Sequence, residues 1–216
     1  PWLVLAAAGA GGLAVFAAAH PFGPLAGVMI AAALVAGMCV HRHAWLVLVP
    51  GLMPVIDLAP WSGAIYLTES DALVFSALLA CGLREALAAT HSADGRSWRF
   101  GVLQLGLLGT LLASYALSTD WSVLQDMWTH PEWRVSYASP LNGVRLAKGA
   151  LWAALLLAPL SGAFRREPDK ARRALVCGVL LGLVLTSLAA FWERFAFVGL
   201  MDFASDYRTT ALFWEM

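Results

Sequence analysis

The chain has 216 residues, of which 60% are hydrophobic and only 13% charged. A soluble domain carries about a quarter charged residues, and here the first Asp, Glu, Lys or Arg is Arg42, a run that water cannot accommodate but a bilayer can. Formal net charge is zero, which argues neither for nor against nucleic acid; the basic residues sit in short clusters between apolar segments rather than in a stripe, and no nucleic-acid partner is expected.

Seven apolar segments approach the roughly 20 residues that a spanning helix needs. In chain order they are Trp2–Ala19, Leu25–Val40, Ala44–Ile56, Asp71–Leu87, Phe100–Ser118, Leu141–Leu160 and Ala174–Trp192. Pro21, Gly23 and Pro24 set a tight turn between the first two. The third is short and carries Pro50–Gly51 and Pro54, which fits either a kinked span or a re-entrant piece buried among neighbours. Gly178 and Gly182 form a G-x-x-x-G pair on the last segment, the spacing that lets helices approach closely. Cys39, Cys81 and Cys177 all fall inside apolar segments and read as buried small residues without a disulfide framework. The expected fold is all-α: one polytopic transmembrane bundle over 1–216 with about seven spans, the N-terminal portion of a longer bundle.

Charge gives the bundle sides. Arg42, Arg84, Arg96, Arg99, Arg165, Arg166, Lys170, Arg172 and Arg173 follow the even-numbered segments and mark one face as cytoplasmic. Arg134, Arg145, Lys148, Arg194 and Arg208 fall on the opposite face with most of the acids, among them Asp57, Glu69, Asp71, Asp120, Asp126, Glu132 and Glu193. Trp61, Trp121, Trp128, Trp133, Trp192 and Trp214 lie at or near that outer interface. Trp121, Leu124 and Trp128 share a helical face, so Asp120–Trp128 is expected to lie along the membrane surface.

No nucleotide-binding glycine loop, G-x-S-x-G, H-E-x-x-H or paired C-x-x-C occurs. His41 and His43 flank Arg42 in a short turn, and two histidines without nearby carboxylates are weak ligands, so no metal site is assigned. His130 near Glu132 reads as solvated or interfacial. The outer cations carry more chemistry. Arg145 and Lys148 are three apart and share a helix face. Their plain reading is snorkelling to the headgroups, and their functional reading is a grip on a diphosphate. The tail FWERFAFVGLMDFASDYRTTALFWEM stays aromatic between its charges, unlike a solvated loop. Its Arg208 can hold phosphate oxygens bidentately or pair locally with Asp206 or Asp202.

At this tail the chain resembles bacterial O-antigen ligases and polysaccharide polymerases. Asp206-Tyr-Arg-Thr-Thr-Ala-Leu-Phe is similar to the family's arginine-containing segment. Two further stretches also look related: Pro54-Val-Ile-Asp-Leu-Ala-Pro-Trp-Ser-Gly, with Glu69 and Asp71 after it, and Ser139-Pro-Leu-Asn-Gly-Val-Arg-Leu-Ala-Lys. The resemblance implies a multi-span glycosyltransferase of the bacterial inner membrane. It implies glycan transfer from an undecaprenyl diphosphate carrier at the periplasmic face, without nucleotide sugar, cofactor or essential metal. Arg208 is the position carried over by motif. Arg194, Arg145 and Lys148 are nominated as diphosphate-binding residues by charge and topology, and no catalytic residue is assigned. Two other readings stand beside this one. The proline-broken third segment suits a transporter of a lipid or polar solute. The glycine-rich packing surfaces need only a non-catalytic membrane assembly subunit.

Overall fold

The computed structural model describes residues 2–20, 22–56, 67–91, 102–118 and 142–196. All regular structure among them is helical. In chain order the helices are α1 (Trp2–Ala19), α2 (Pro24–Val40), α3 (Ala44–Leu52), α4 (Glu69–His91), α5 (Val102–Ser118), α6 (Asn142–Arg166) and α7 (Pro168–Ala196). The first matches its expected bounds, and the second starts one residue early, at Pro24. α4, α6 and α7 extend beyond the apolar runs because their charged ends continue the helix. The expected surface helix Asp120–Trp128 and the tail holding Arg208 lie outside the described residues.

The turn between α1 and α2 follows from its residues. Gly23 adopts φ 95°, a conformation that side chains disfavour. Its N–H reaches the His20 carbonyl at 2.9 Å. Pro24 then opens α2, where its missing N–H costs nothing.

Close backbone contact holds α1 to α4. A Cβ at Gly9 would stand 2.6 Å from Leu79 N and the Phe75 carbonyl, and one at Gly82 would stand 2.6 Å from Ala6 N. The Phe75 ring fills the notch at Gly12. These pairings make α1 antiparallel to α4, because residues early in α1 meet residues late in α4. Leu13, Phe16, Met38, Leu46, Leu73 and Phe75 form the core between α1, α2, α3 and α4.

The Gly178–Gly182 pair packs against α3, where a Cβ on Gly178 would meet the Leu46 carbonyl at 2.6 Å and one on Gly182 the Pro50 carbonyl at 2.5 Å. α3 and α7 therefore run in the same direction. α3 has 9 residues with Pro50 inside it. That is about 14 Å of helix, less than half of a hydrocarbon core of about 30 Å. The chain nonetheless changes ends between Ala44 and Thr68. Ala44 follows the turn whose carbonyls accept from Arg84, while Thr68 binds Asp71 at the opposite end of α4.

Among the described residues two helical stretches are long and apolar enough to cross a membrane, Trp2–Ala19 and Pro168–Trp192; Pro24–Val40 is apolar but has 17 residues. Apolar side chains also cover much of the exterior. Leu3, Val4, Val28, Met29, Leu105, Leu112, Leu183 and Leu188 are all exposed. Cys39 and Cys177 belong to this exterior, which corrects the expectation that all three cysteines are buried. Only Cys81 is buried, and all three are free thiols.

Candidate functional site

The helices bring polar side chains together at two opposite ends. At the first, which we term the acidic end, α1 finishes at His20, α4 begins at Glu69 and α6 presents Lys148 and Trp152. Asp71 is the hub. It is 2% exposed. Its Oδ2 accepts from Lys148 Nζ at 2.6 Å and from the Thr68 backbone N–H at 2.9 Å, and its Oδ1 accepts from Trp152 Nε1 at 2.7 Å. Local sequence explains part of this. Thr68-Glu-Ser-Asp is a capping-box arrangement in which the third-turn-position carboxylate reaches back to the N-cap N–H. The same carboxylate then ties α4 to α6. The Trp152 ring stacks edge-on against Phe75, with centroids 4.9 Å apart, so the network continues into the α1–α4 seam.

Behind Asp71 lies a second buried pair. His20 Nε2 stands 3.6 Å from Glu69 Oε1, and both side chains are nearly inaccessible. The Phe22 N–H donates to His20 Nδ1 at 3.3 Å. That bond makes Nδ1 an acceptor, so the proton of a neutral ring sits on Nε2, facing Glu69. His20 is thereby a donor toward the carboxylate. At 3.6 Å the contact is electrostatic rather than a hydrogen bond, and Nε2 has no hydrogen-bond partner.

The four nominated diphosphate-binding residues fare differently. Lys148 sits in the Asp71 pair, a partner that its charge and position alone did not assign. Arg145 lies one turn earlier on α6, nearer its N-terminal end. Arg194 lies in the last turn of α7. Arg208 lies outside the described residues. Sequence reasoning missed Asp71, Glu69, His20 and Trp152 as a group. The available signal was two carboxylates opening an apolar segment, which only pays its burial cost if a cation meets them.

The second, basic end is built from the α2–α3 turn, the C-terminal half of α4 and the α6–α7 junction. Arg84 donates to the carbonyls of Arg42 at 2.9 Å and Met38 at 3.3 Å, capping the end of α2. Arg166 pairs with Glu85 at 2.6 Å, and Lys170 pairs with Glu167 at 2.8 Å. Arg42 reaches the same two carboxylates, each at 3.3 Å. Burial lowers the pKa of His43, outweighing the opposing pull of Glu167. The hydrogen bond from Lys170 leads the causes that lower Glu167. His41 Nδ1 accepts the His43 N–H at 3.2 Å. Among the described residues no cluster of three or more His, Cys, Asp and Glu could hold a metal.

The chain matches no family model, no curated protein and no solved structure.

Proposed function

We propose that the chain is a polytopic inner-membrane glycosyltransferase of the O-antigen ligase or polymerase type. In this reading it moves a glycan from an undecaprenyl diphosphate carrier at the periplasmic face. Its helices stand across the bilayer, α3 through only part of its depth, with the basic end cytoplasmic and the acidic end outside. Support for the membrane part is the exterior. α1 is apolar on every side, yet Leu3, Val4 and Val15 are more than half exposed. A helix apolar all round is either deep in a large protein or in lipid, and soluble proteins rarely expose such contiguous surfaces.

The observation that carries the enzymatic part is the Asp71–Lys148–Trp152 network at the outer end of the bundle. A lipid-linked donor presents its diphosphate at headgroup depth, where α4 and α6 begin. Asp71 fixes the direction of the Lys148 ammonium, and Arg145 stands one turn outward. Arg194 and Arg208 supply further cations from the chain's C-terminal part. Charge accumulates on the departing diphosphate as the glycosidic bond breaks, and prearranged cations stabilise it. The acceptor hydroxyl must lose its proton to a base as it attacks.

Arg208→Ala and Arg145→Ala, each expressed in bacterial cells lacking the native gene, test the reading. Loss of transferred glycan with normal membrane insertion is the expected result. Normal transfer by both variants overturns it. A transporter reading draws on one observation, the proline-bearing α3 that stops at Leu52 against α7. Solute or lipid flux in proteoliposomes without glycan transfer would favour it.

A further inference from the structure

The glycan chemistry proposed above makes no use of His20 and Glu69. His20 follows α1 and Glu69 opens α4, with side chains 1% and 3% exposed. The His20 ring is boxed in. Phe16 stands edge-on to it with centroids 5.2 Å apart, and the Phe22 ring lies tilted beside it at 5.7 Å. A Cβ added at Gly27 of α2 would come within 2.9 Å of His20 Cβ, so α2 also holds the side chain in place. A ring that cannot swing away can still change its proton count.

Its two partners require different counts. The Phe22 N–H donates to Nδ1 at 3.3 Å, and only a nitrogen without a proton can accept. An ion pair with Glu69, 3.6 Å from Nε2, requires a ring protonated on both nitrogens. In the neutral ring the Nε2–H faces Glu69 but has no hydrogen-bond partner among the described residues, an unfavourable state for a buried polar group. One proton taken from solvent onto Nδ1 makes the ring an imidazolium. The Glu69 contact then becomes an ion pair, and the Phe22 N–H loses its acceptor.

Few other charges surround the pair among the described residues. α1, α2 and α3 carry no Asp, Glu, Lys or Arg, and the Cys39 thiol of α2 lies at its far end. α4 contributes Asp71 in the same turn as Glu69. α6 contributes Lys148, bound to Asp71 at 2.6 Å, and Arg145 one turn earlier. We propose that His20 is a proton-binding site that latches the α1–α2 turn. Without the added proton the ring holds the Phe22 N–H, and with it the ring holds Glu69. The latch needs neither the membrane reading nor the enzymatic one. Because Glu69 and Asp71 share the first turn of α4, each proton bound changes the charge beside the Asp71–Lys148–Trp152 network.

The test is nitrogen NMR of the detergent-solubilised protein carrying isotope-labelled histidine, from pH 8 downward as far as the fold persists. Loss of signals in His20→Gln identifies those of His20. The expected sequence is a neutral ring protonated on Nε2, then an imidazolium. In step with that change the Phe22 amide should lose about fivefold of its protection from hydrogen exchange, corrected for the intrinsic effect of pH. The Gly27 amide, bonded to the Gly23 carbonyl at 3.2 Å, should keep its protection. Glu69→Gln keeps the shape of the side chain and removes its charge. At the pH where half of the wild type is imidazolium, this variant should hold about fivefold less of it. A ring that stays neutral until the fold is lost overturns the proposal, as does a neutral ring protonated on Nδ1. So does unchanged Phe22 protection as the imidazolium forms, or equal loss at Phe22 and Gly27, which is melting of the turn. Equal imidazolium in Glu69→Gln and wild type overturns it too. If that variant fails to fold, Phe22 exchange in the wild type decides alone.

Discussion

Asp71→Asn isolates what the central carboxylate contributes. The substitution keeps the side chain's shape and one carbonyl acceptor, but it removes the charge that faces Lys148 Nζ at 2.6 Å. The Lys148 side chain is 19% exposed and that of Asp71 3%, so the ammonium loses the Asp71 charge in a place that water reaches poorly. Breaking a buried pair from one side costs about 3–5 kcal/mol in soluble proteins. Interhelical polar contacts inside membranes average only about 0.6 kcal/mol, because the unfolded chain in lipid also finds partners. The larger figure should apply here, since a full charge is removed from beside the ammonium and the Thr68 N–H and Trp152 Nε1–H share the same carboxylate. We expect a loss of about 3 kcal/mol in reversible detergent unfolding. Lys148→Met added to Asp71→Asn removes the ammonium as well and should recover at least half of that loss. If the two changes instead add within about 0.5 kcal/mol, the pair is not coupled and the network does not join α4 to α6.

Three further outcomes follow from the geometry. Gly178→Ala should destabilise the protein and free α3 from α7, because its Cβ would press on the Leu46 and Val47 carbonyls within 2.7 Å; Gly106→Ala in α5, where a Cβ meets nothing, should be neutral or stabilising by under about 1 kcal/mol. Acid should destabilise the basic end. His43 and Glu167 both have lowered folded pKa values, from 6.5 and 4.5 respectively, so the unfolded chain binds more protons than the folded one. Their contribution is full above about pH 6.5 and is lost as pH falls through each folded value. Thermal unfolding from pH 8 to pH 4 should show a falling Tm, with the upper part of the fall absent in His43→Gln; a Tm that rises on acidification contradicts the assignment. Finally, a small membrane-permeant maleimide should label Cys39 and Cys177 in the folded protein and Cys81 only after denaturation, since Cys81 alone is buried; equal labelling of all three would refute the packing around α4.

The helices were legible in the sequence because long apolar runs bounded by charge and proline leave little choice of structure. The shared end of α2, α4 and α6 was legible for a similar reason: the clusters at Arg42, Arg84 and Arg166 meet there. Pairing was not. Lys148 and Asp71 are separated by 77 residues, and no local pattern connects them. The same holds for His20 and Glu69. Gly178 and Gly182 announced a close contact but not its partner, because a notch of small residues accepts any helix that presents a flat face. Cys39 was misread for a related reason. In an apolar segment, residue type does not distinguish the side turned to a neighbour from the side turned outward.

The glycine seam between α1 and α4 also bears on how the chain assembles. α2 follows α1 at once and forms a hairpin with it, yet the notches at Gly9 and Gly12 fit α4, where Phe75 and Leu79 arrive some 65 residues later. Translation at about 5–20 residues per second puts that delay on the order of 3–13 s. During the interval α1 has its notched face open to any other helix offering a compatible ridge. α1 is therefore held in reserve for α4. A chaperone or insertase that shields this face, or a substitution such as Gly12→Leu that fills it early, should act on the yield of assembled protein more than on the stability of what has already assembled.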